Sequence, residues 1–90
     1  MRVAIVGCGL IGTRRARALG GARLAACCDV VRERAEALAA QFPACVATTA
    51  WQEAAGSADI VVVSTTHDQL AAIAAGAAAA GKHVLVEKPG

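Results

Sequence analysis

The sequence has no tyrosine, one tryptophan and one phenylalanine in 90 residues. Stacking single-stranded bases takes a series of aromatic rings, so that mode of nucleic-acid binding is excluded. Nine Lys and Arg against seven Asp and Glu leave a net charge of +2, far short of the basic excess of a nucleic-acid domain. The cysteines, Cys8, Cys27, Cys28 and Cys45, form no CxxC pair and no zinc spacing with His67 and His83, which removes the common metal sites. The longest stretch without a charge, Gln69 to Gly81, is shorter than the ~18 apolar residues a membrane span requires. There is no GxxxxGK motif followed by Ser or Thr, so nucleotide hydrolysis loses its main support. Met1, Arg2 and the apolar run to Gly12 superficially resemble a signal peptide, but Arg14, Arg15 and Arg17 stand where small cleavage-site residues belong.

What the chain does have is apolar bulk. Hydrophobic residues make up 57% and charged residues 18%, a balance that excludes disorder and predicts one domain burying ~60 to 65% of its unfolded surface. With few aromatics the core must be aliphatic and largely alanine, which implies closely spaced helices and strands. Cys27 and Cys28 are adjacent in a strand-like run and therefore face opposite sides. Four thiols without a pairing pattern point to buried cysteines in a reducing cytosol, and hence to a cytoplasmic chain.

Short unbroken apolar runs alternate with helix-like segments, the pattern of strands buried on both faces of a parallel sheet. Strands are expected at Val3 to Val6, Arg23 to Cys28, Cys45 to Ala47, Asp59 to Val63 and His83 to Val86. Between them, helices are expected at Ile11 to Leu19, Val31 to Phe42 and Trp51 to Ala55, the last capped by Thr49, and from about Asp68 to Ala80. Gly76 inside the fourth helix suggests that a backbone passes close by. The fold class is α/β: right-handed crossovers predict a Rossmann-type doubly wound parallel sheet of strand order 3-2-1-4-5 with helices on both faces. A ligand is then expected above the carboxyl ends of strands one and four, between residues 7–12 and 64–67.

Gly7, Gly9 and Gly12 spell GCGLIG between the first strand and the first helix, the context of the dinucleotide fingerprint. Gly7 permits the tight turn, Gly9 admits backbone N–H groups to a pyrophosphate, and Gly12 lets the helix pack on the strand. Leu10 and Ile11 complete the loop and helix start. Asp29, at the end of strand two and about 20 residues on, is placed to accept hydrogen bonds from the adenosine ribose hydroxyls and to repel the extra phosphate of NADP. NAD is therefore the expected cofactor. Arg32 and Arg34 leave NADP open, since either can turn toward a 2′-phosphate. Asp29 can also cap the segment from Val31, a role compatible with ligand binding. A methyltransferase, which also places a glycine-rich loop and an acid after its first two strands, fits the full GCGLIG less well.

GCGLIG at 7–12, Asp29, STTHDQL at 64–70 and GKHVLVEKP at 81–89 together resemble the Gfo/Idh/MocA oxidoreductases, in which a nicotinamide-binding Rossmann domain precedes a larger α/β domain. The resemblance covers essentially the whole chain, with GKHVLVEKP its most specific element. It implies that Lys88 is the catalytic lysine of the EKP motif, reaching the reacting hydroxyl or carbonyl, where an ammonium stabilises a developing alkoxide. It also implies that Glu87 lies near the nicotinamide ribose, that Pro89 directs the chain, and that Ser64 and Thr65 line the cofactor. Thr66, His67 and Leu70 stand where the family often has proline, asparagine and histidine. His67 can contact the dinucleotide or face solvent, and is not assigned as a base. Arg15 replaces a frequent histidine, and Arg14, Arg15 and Arg17 near a helix start would oppose its dipole and suggest a nearby anion or partner.

Two residues follow Lys88, whereas the family's proton-accepting histidine and a nearby aspartate lie further on, so the 90 residues read as the incomplete, cofactor-binding part of a longer enzyme. On that reading the chain binds cofactor but hardly turns over, its sugar- or cyclitol-like small-molecule substrate being held by the absent domain. Two other readings stand beside it: a dinucleotide-binding or sensing module without catalysis, and an alanine-rich structural domain with no ligand. Strand five would be an exposed apolar edge that invites pairing, so a homo-oligomer is compatible with the sequence.

Overall fold

Strands that read as unbroken apolar runs need cover on both faces, and the chain supplies it by placing a helix between successive strands. The computed structural model describes residues 1–17, 19–65 and 67–87. In chain order the elements are β1 (Arg2–Val6), α1 (Leu10–Arg17), β2 (Arg23–Cys28), α2 (Arg32–Ala39), β3 (Val46–Thr48), α3 (Trp51–Gly56), β4 (Ile60–Val63), α4 (His67–Ala79) and β5 (His83–Val86). The five strands form one parallel sheet of order β3-β2-β1-β4-β5, the expected topology.

Each face of the sheet carries its own aliphatic core. Ala4, Val6, Ala26, Cys28, Val61 and Val63 pack with Ala54 and Ala55 of α3 and with Ile73 and Ala77 of α4. On the opposite face Val3, Ile5, Leu24, Cys27 and Val62 pack with Ala16 of α1 and with Ala35, Leu38 and Ala39 of α2. Cys27 and Cys28 thus point to opposite sides, as alternation requires. The register of β1 on β2 shifts between Val3 and Ala4, so that Val3 lies opposite Leu24 but Ala4 opposite Ala26. The extra residue, Ala25, switches parity and puts Leu24 and Cys27 on the same face. Alanine at helix–sheet contacts lets the layers approach closely, consistent with a core that has little aromatic volume.

Element ends move by a few residues. Helix α2 stops at Ala39 rather than Phe42, and the following turn tightens into i→i+3 bonds from Gln41 N–H to the Leu38 carbonyl (3.1 Å) and from Phe42 N–H to the Ala39 carbonyl (3.1 Å). Thr49 does not cap α3. The N-cap residue is Ala50, and it is Thr48 that organises the turn: its Oγ1 accepts from Ala50 N–H (3.0 Å) and donates to Glu53 Oε2 (2.7 Å). Asp59 precedes β4 instead of opening it and ties three strands at the amino edge. Its N–H donates to the Arg2 carbonyl (2.9 Å), its carbonyl accepts from His83 N–H (3.1 Å), and its Oδ2 accepts from Arg2 N–H (3.0 Å).

Two expectations are corrected. Glycine at position 76 costs about 1 kcal/mol in a helix interior relative to alanine, and the reason for it is a side chain, not a passing backbone. A Cβ there would overlap Cη2 of Trp51 and stand 3.1 Å from its Cζ2. The arginines of α1 do not oppose its dipole. The helix is short, Arg14, Arg15 and Arg17 fall in its last turn, and cations there are favourable. Arg17 Nη2 also donates to Gln41 Oε1 (3.1 Å) and Arg15 forms an ion pair with Glu87, so no outside anion is needed to explain them.

Candidate functional site

Register brings the carboxyl ends of all five strands level: Thr48 pairs with Cys28, Cys28 with Val6, Val6 with Val63, and Val63 with Val86. Along this line the neighbouring connections from β1 and β4 diverge, since β2 and β3 lie to one side and β5 to the other. Gly7 makes the turn out of β1 with φ +101°, and its N–H donates to the Cys28 carbonyl (2.7 Å). A Cβ on Gly7 would lie 2.5 Å from the Ser64 carbonyl oxygen and 2.7 Å from its carbon. Gly12, in the first turns of α1, faces the same constraint, because a Cβ there would overlap the Gly7 carbonyl and stand 3.2 Å from Ile5 Cγ2. Gly9 is different. Nothing lies within 4 Å of its Cβ position, so the space beside it is open.

Asp29 is 8% exposed and uses both carboxylate oxygens. Oδ2 accepts from Cys8 N–H (2.8 Å) and Oδ1 from Val31 N–H (2.9 Å), which ties the glycine turn to the β2–α2 loop. The cap expected from Asp29 is therefore a turn within that loop. The helix itself begins after Val31 with no side-chain cap. Each carboxylate oxygen retains a lone pair for a further donor. Ser64, directly after β4, has a buried Oγ with no hydrogen-bond partner among the described residues. A buried hydroxyl without a partner costs about 1–3 kcal/mol, and a ligand hydroxyl or phosphate oxygen would satisfy it.

Gly7, Gly9, Asp29, Ser64 and Thr65 line one cavity of about 270 Å³. The same cavity takes in Val30, Arg34, Thr49 and Trp51, of which only Arg34 was singled out by the sequence as facing a nucleotide. Arg32 does not line it. A cavity beside open glycine, a paired carboxylate with spare lone pairs and a hydroxyl unpartnered among the described residues fit a dinucleotide: the space beside Gly9 would take a pyrophosphate, and Asp29 and Ser64 would offer acceptor and donor groups to its hydroxyls and oxygens.

Leu10 and Ile11 open α1 and His67 opens α4, so His67 belongs to a helix start rather than to a loop. Glu87 follows β5, its N–H donating to the Val63 carbonyl (2.9 Å) and its carboxylate paired with Arg15. It stands beyond the cavity lining. Thr66, Lys88 and Pro89 lie outside the described residues.

The thiols of Cys27, Cys28 and Cys45 are held toward their protonated form. Burial, reinforced by the charges of Cys8, Asp29 and Glu53, pushes the Cys28 thiol up to about 11. Cys27 is raised by its hydrogen bond to Cys8 and by burial, and Cys45 by burial, the two sulfurs being 3.4 Å apart. All four cysteines are free. A raised thiol value means that above about pH 9 the unfolded chain releases protons that the folded chain keeps, so stability falls as pH rises. The melting temperature is expected to decline from about pH 9 through 11, and Cys28→Ala, followed by differential scanning calorimetry across that range, should make the decline shallower.

Comparison with known proteins agrees with this geometry. The sequence profile of the family described as "Oxidoreductase family, NAD-binding Rossmann fold" (GFO_IDH_MocA) matches residues 1–90. An inositol 2-dehydrogenase of Rhizobium meliloti (strain 1021) is 38% identical over 92 residues, which is 99% of this chain and 28% of that protein. GenD2 from gentamicin A biosynthesis, solved in complex with NAD, superposes with a TM-score of 0.90 at 37% identity over 99% of this chain and 27% of its own. UDP-N-acetylglucosamine 3-dehydrogenase GnnA from Acidithiobacillus ferrooxidans superposes with a TM-score of 0.89 at 32% identity, over 99% of this chain and 30% of its own. The chain thus spans somewhat under a third of the length of each of these proteins. Among the described residues no helix is long and apolar enough to cross a membrane.

Proposed function

Because this chain belongs to the Gfo/Idh/MocA oxidoreductase family, with its NAD-binding Rossmann fold, we propose that residues 1–90 are the cofactor domain of a longer dehydrogenase acting on a hydroxyl or carbonyl of a sugar- or cyclitol-like small molecule. One observation carries the cofactor part: the glycine turn, Asp29 and the unpartnered Ser64 hydroxyl converge on a single cavity at the point where the strand order reverses. The substrate class is supported by the relatives, an inositol dehydrogenase and a UDP-sugar dehydrogenase.

The nicotinamide, when bound, supplies hydride-transfer chemistry. The chain's own residues bind and orient. Gly9 leaves room for the pyrophosphate near the positive end of α1, Asp29 accepts the ribose hydroxyls, and Ser64 and Thr65 line the passage between the two halves. Lys88, by resemblance, presents an ammonium to the reacting oxygen and stabilises the charge that develops there. Glu87, the residue before it, is held to β4 by its N–H and to α1 by Arg15, which fixes where the chain leaves the sheet. Four free thiols support a reducing, cytoplasmic setting.

Isothermal titration of the chain with NAD and separately with NADP tests the reading. NAD is expected to bind roughly tenfold or more tightly than NADP, because Asp29 repels a 2′-phosphate. A folded chain that gives no heat with either would remove the proposal.

A further inference from the structure

Trp51 is the sole tryptophan of the chain and stands at the first position of α3, directly beyond β3. It is partly buried against the core of α3, α4 and the sheet. The edge of its six-membered ring sits against α4 at Gly76, where a Cβ would overlap Cη2 and approach Cζ2 and Cζ3 to 3.1 and 3.3 Å. The glycine is a notch cut into an otherwise alanine-rich helix to admit this ring. Trp51 also lines the cavity shared by Gly9, Asp29, Arg34 and Ser64, so the notch at Gly76 seats a residue of that cavity.

The position along the cavity indicates what it meets. Asp29 and Arg34 come from the β2–α2 segment and Thr49 and Trp51 from the adjacent β3–α3 segment, whereas Glu87 leaves the sheet at its far edge, after β5. A ribose held by Asp29 would have its base on this side. Val30, 74% exposed despite its apolar side chain, lines the cavity there too. A flat, electron-rich ring and an exposed valine beside a ribose-binding carboxylate suit a purine.

We propose that Trp51 is a base-binding residue whose indole forms the wall against which the adenine of the dinucleotide rests, and that Gly76 is the positioning residue that seats it. This rests on the dinucleotide reading of the cavity.

With one tryptophan, intrinsic fluorescence reports on Trp51 alone. Titration with NAD or ADP-ribose is expected to change its emission, whereas nicotinamide mononucleotide, which lacks adenine, is expected to leave it unchanged. Gly76→Ala, a substitution that favours helix, should keep its circular dichroism and bind NAD and ADP-ribose about tenfold more weakly by calorimetry. Trp51→Ala should lose at least as much, and Trp51→Phe, which keeps a ring, should recover most of it. If Gly76→Ala does not fold, the two Trp51 variants decide. NAD heats that persist unaltered in Trp51→Ala overturn this inference and leave the cofactor reading standing. Absence of NAD binding by the folded parent chain overturns both.

Discussion

Gly9→Val is expected to weaken dinucleotide binding by at least about a hundredfold while shifting the melting temperature by no more than a few degrees, and Gly7→Val and Gly12→Val are expected not to fold. The three glycines of one motif do different physical work. At Gly7 the backbone is left-handed and a Cβ would meet the Ser64 carbonyl at 2.5 Å, so a side chain adds about 1–3 kcal/mol of backbone strain to a clash between two strand ends that cannot separate without breaking the sheet. At Gly12 a Cβ would overlap the Gly7 carbonyl, and α1 would have to lift off β1. A domain of this size has only about 5–10 kcal/mol to lose, so either change should remove the folded state. At Gly9 an added Cβ has nothing of the protein within 4 Å, which leaves open space for the methyl groups of valine. They project into the cavity, where a pyrophosphate must come within hydrogen-bonding distance of backbone N–H groups. Circular dichroism, thermal melting and calorimetric titration of the three variants separate the roles. A Gly9→Val chain that binds NAD as the parent does would mean that the open space beside Gly9 is not where the ligand goes.

How much of this was legible in the sequence follows from how local each signal is. The strands were readable because IVVV and VAIV are apolar throughout, and strand order followed from crossover handedness once the alternation of elements was recognised. The glycine loop and Asp29 were readable because their roles depend on spacing along the chain. Thr49 reads as the cap in the sequence because it lies nearer the helix; only the backbone turn after β3 decides that the Thr48 hydroxyl is the one to reach Ala50 N–H and Glu53. The arginines of α1 read differently in the sequence because they stand close to the glycine loop that opens the helix, whereas α1 begins at Leu10 and places all three in its last turn. Trp51 is not legible as part of the cavity because four elements, α1, β2, α2 and β3, separate it from the glycine motif along the chain. The hint was present in an unexplained glycine at 76, but a sequence does not say whether a missing side chain makes room for a backbone or for a ring.

Asp29→Ala is the second large effect, and it should act on stability and specificity together. The carboxylate accepts two buried or partly buried backbone N–H groups, from Cys8 at 2.8 Å and Val31 at 2.9 Å. Removing it leaves the Cys8 N–H without an acceptor, a cost of about 1–3 kcal/mol, and the melting temperature should fall by roughly 5–15 °C for a domain of this length. Asp29→Asn cannot repair this, because both partners are donors and the amide offers one acceptor oxygen and one NH₂. For NAD, the lost hydrogen bonds to the ribose hydroxyls should weaken binding roughly tenfold to a hundredfold. For NADP the same substitution takes away a negative charge facing the 2′-phosphate, while Arg34 remains in the cavity lining as a cation able to pair with it. The preference for NAD should therefore fall to near parity or reverse, and adding Arg34→Ala should cancel whatever NADP gained. Titrations below the lowered melting temperature keep folding out of the comparison. An equal loss for NAD and NADP would show that Asp29 serves only to hold the glycine turn against the β2–α2 loop, and that the choice of dinucleotide is made elsewhere in the cavity.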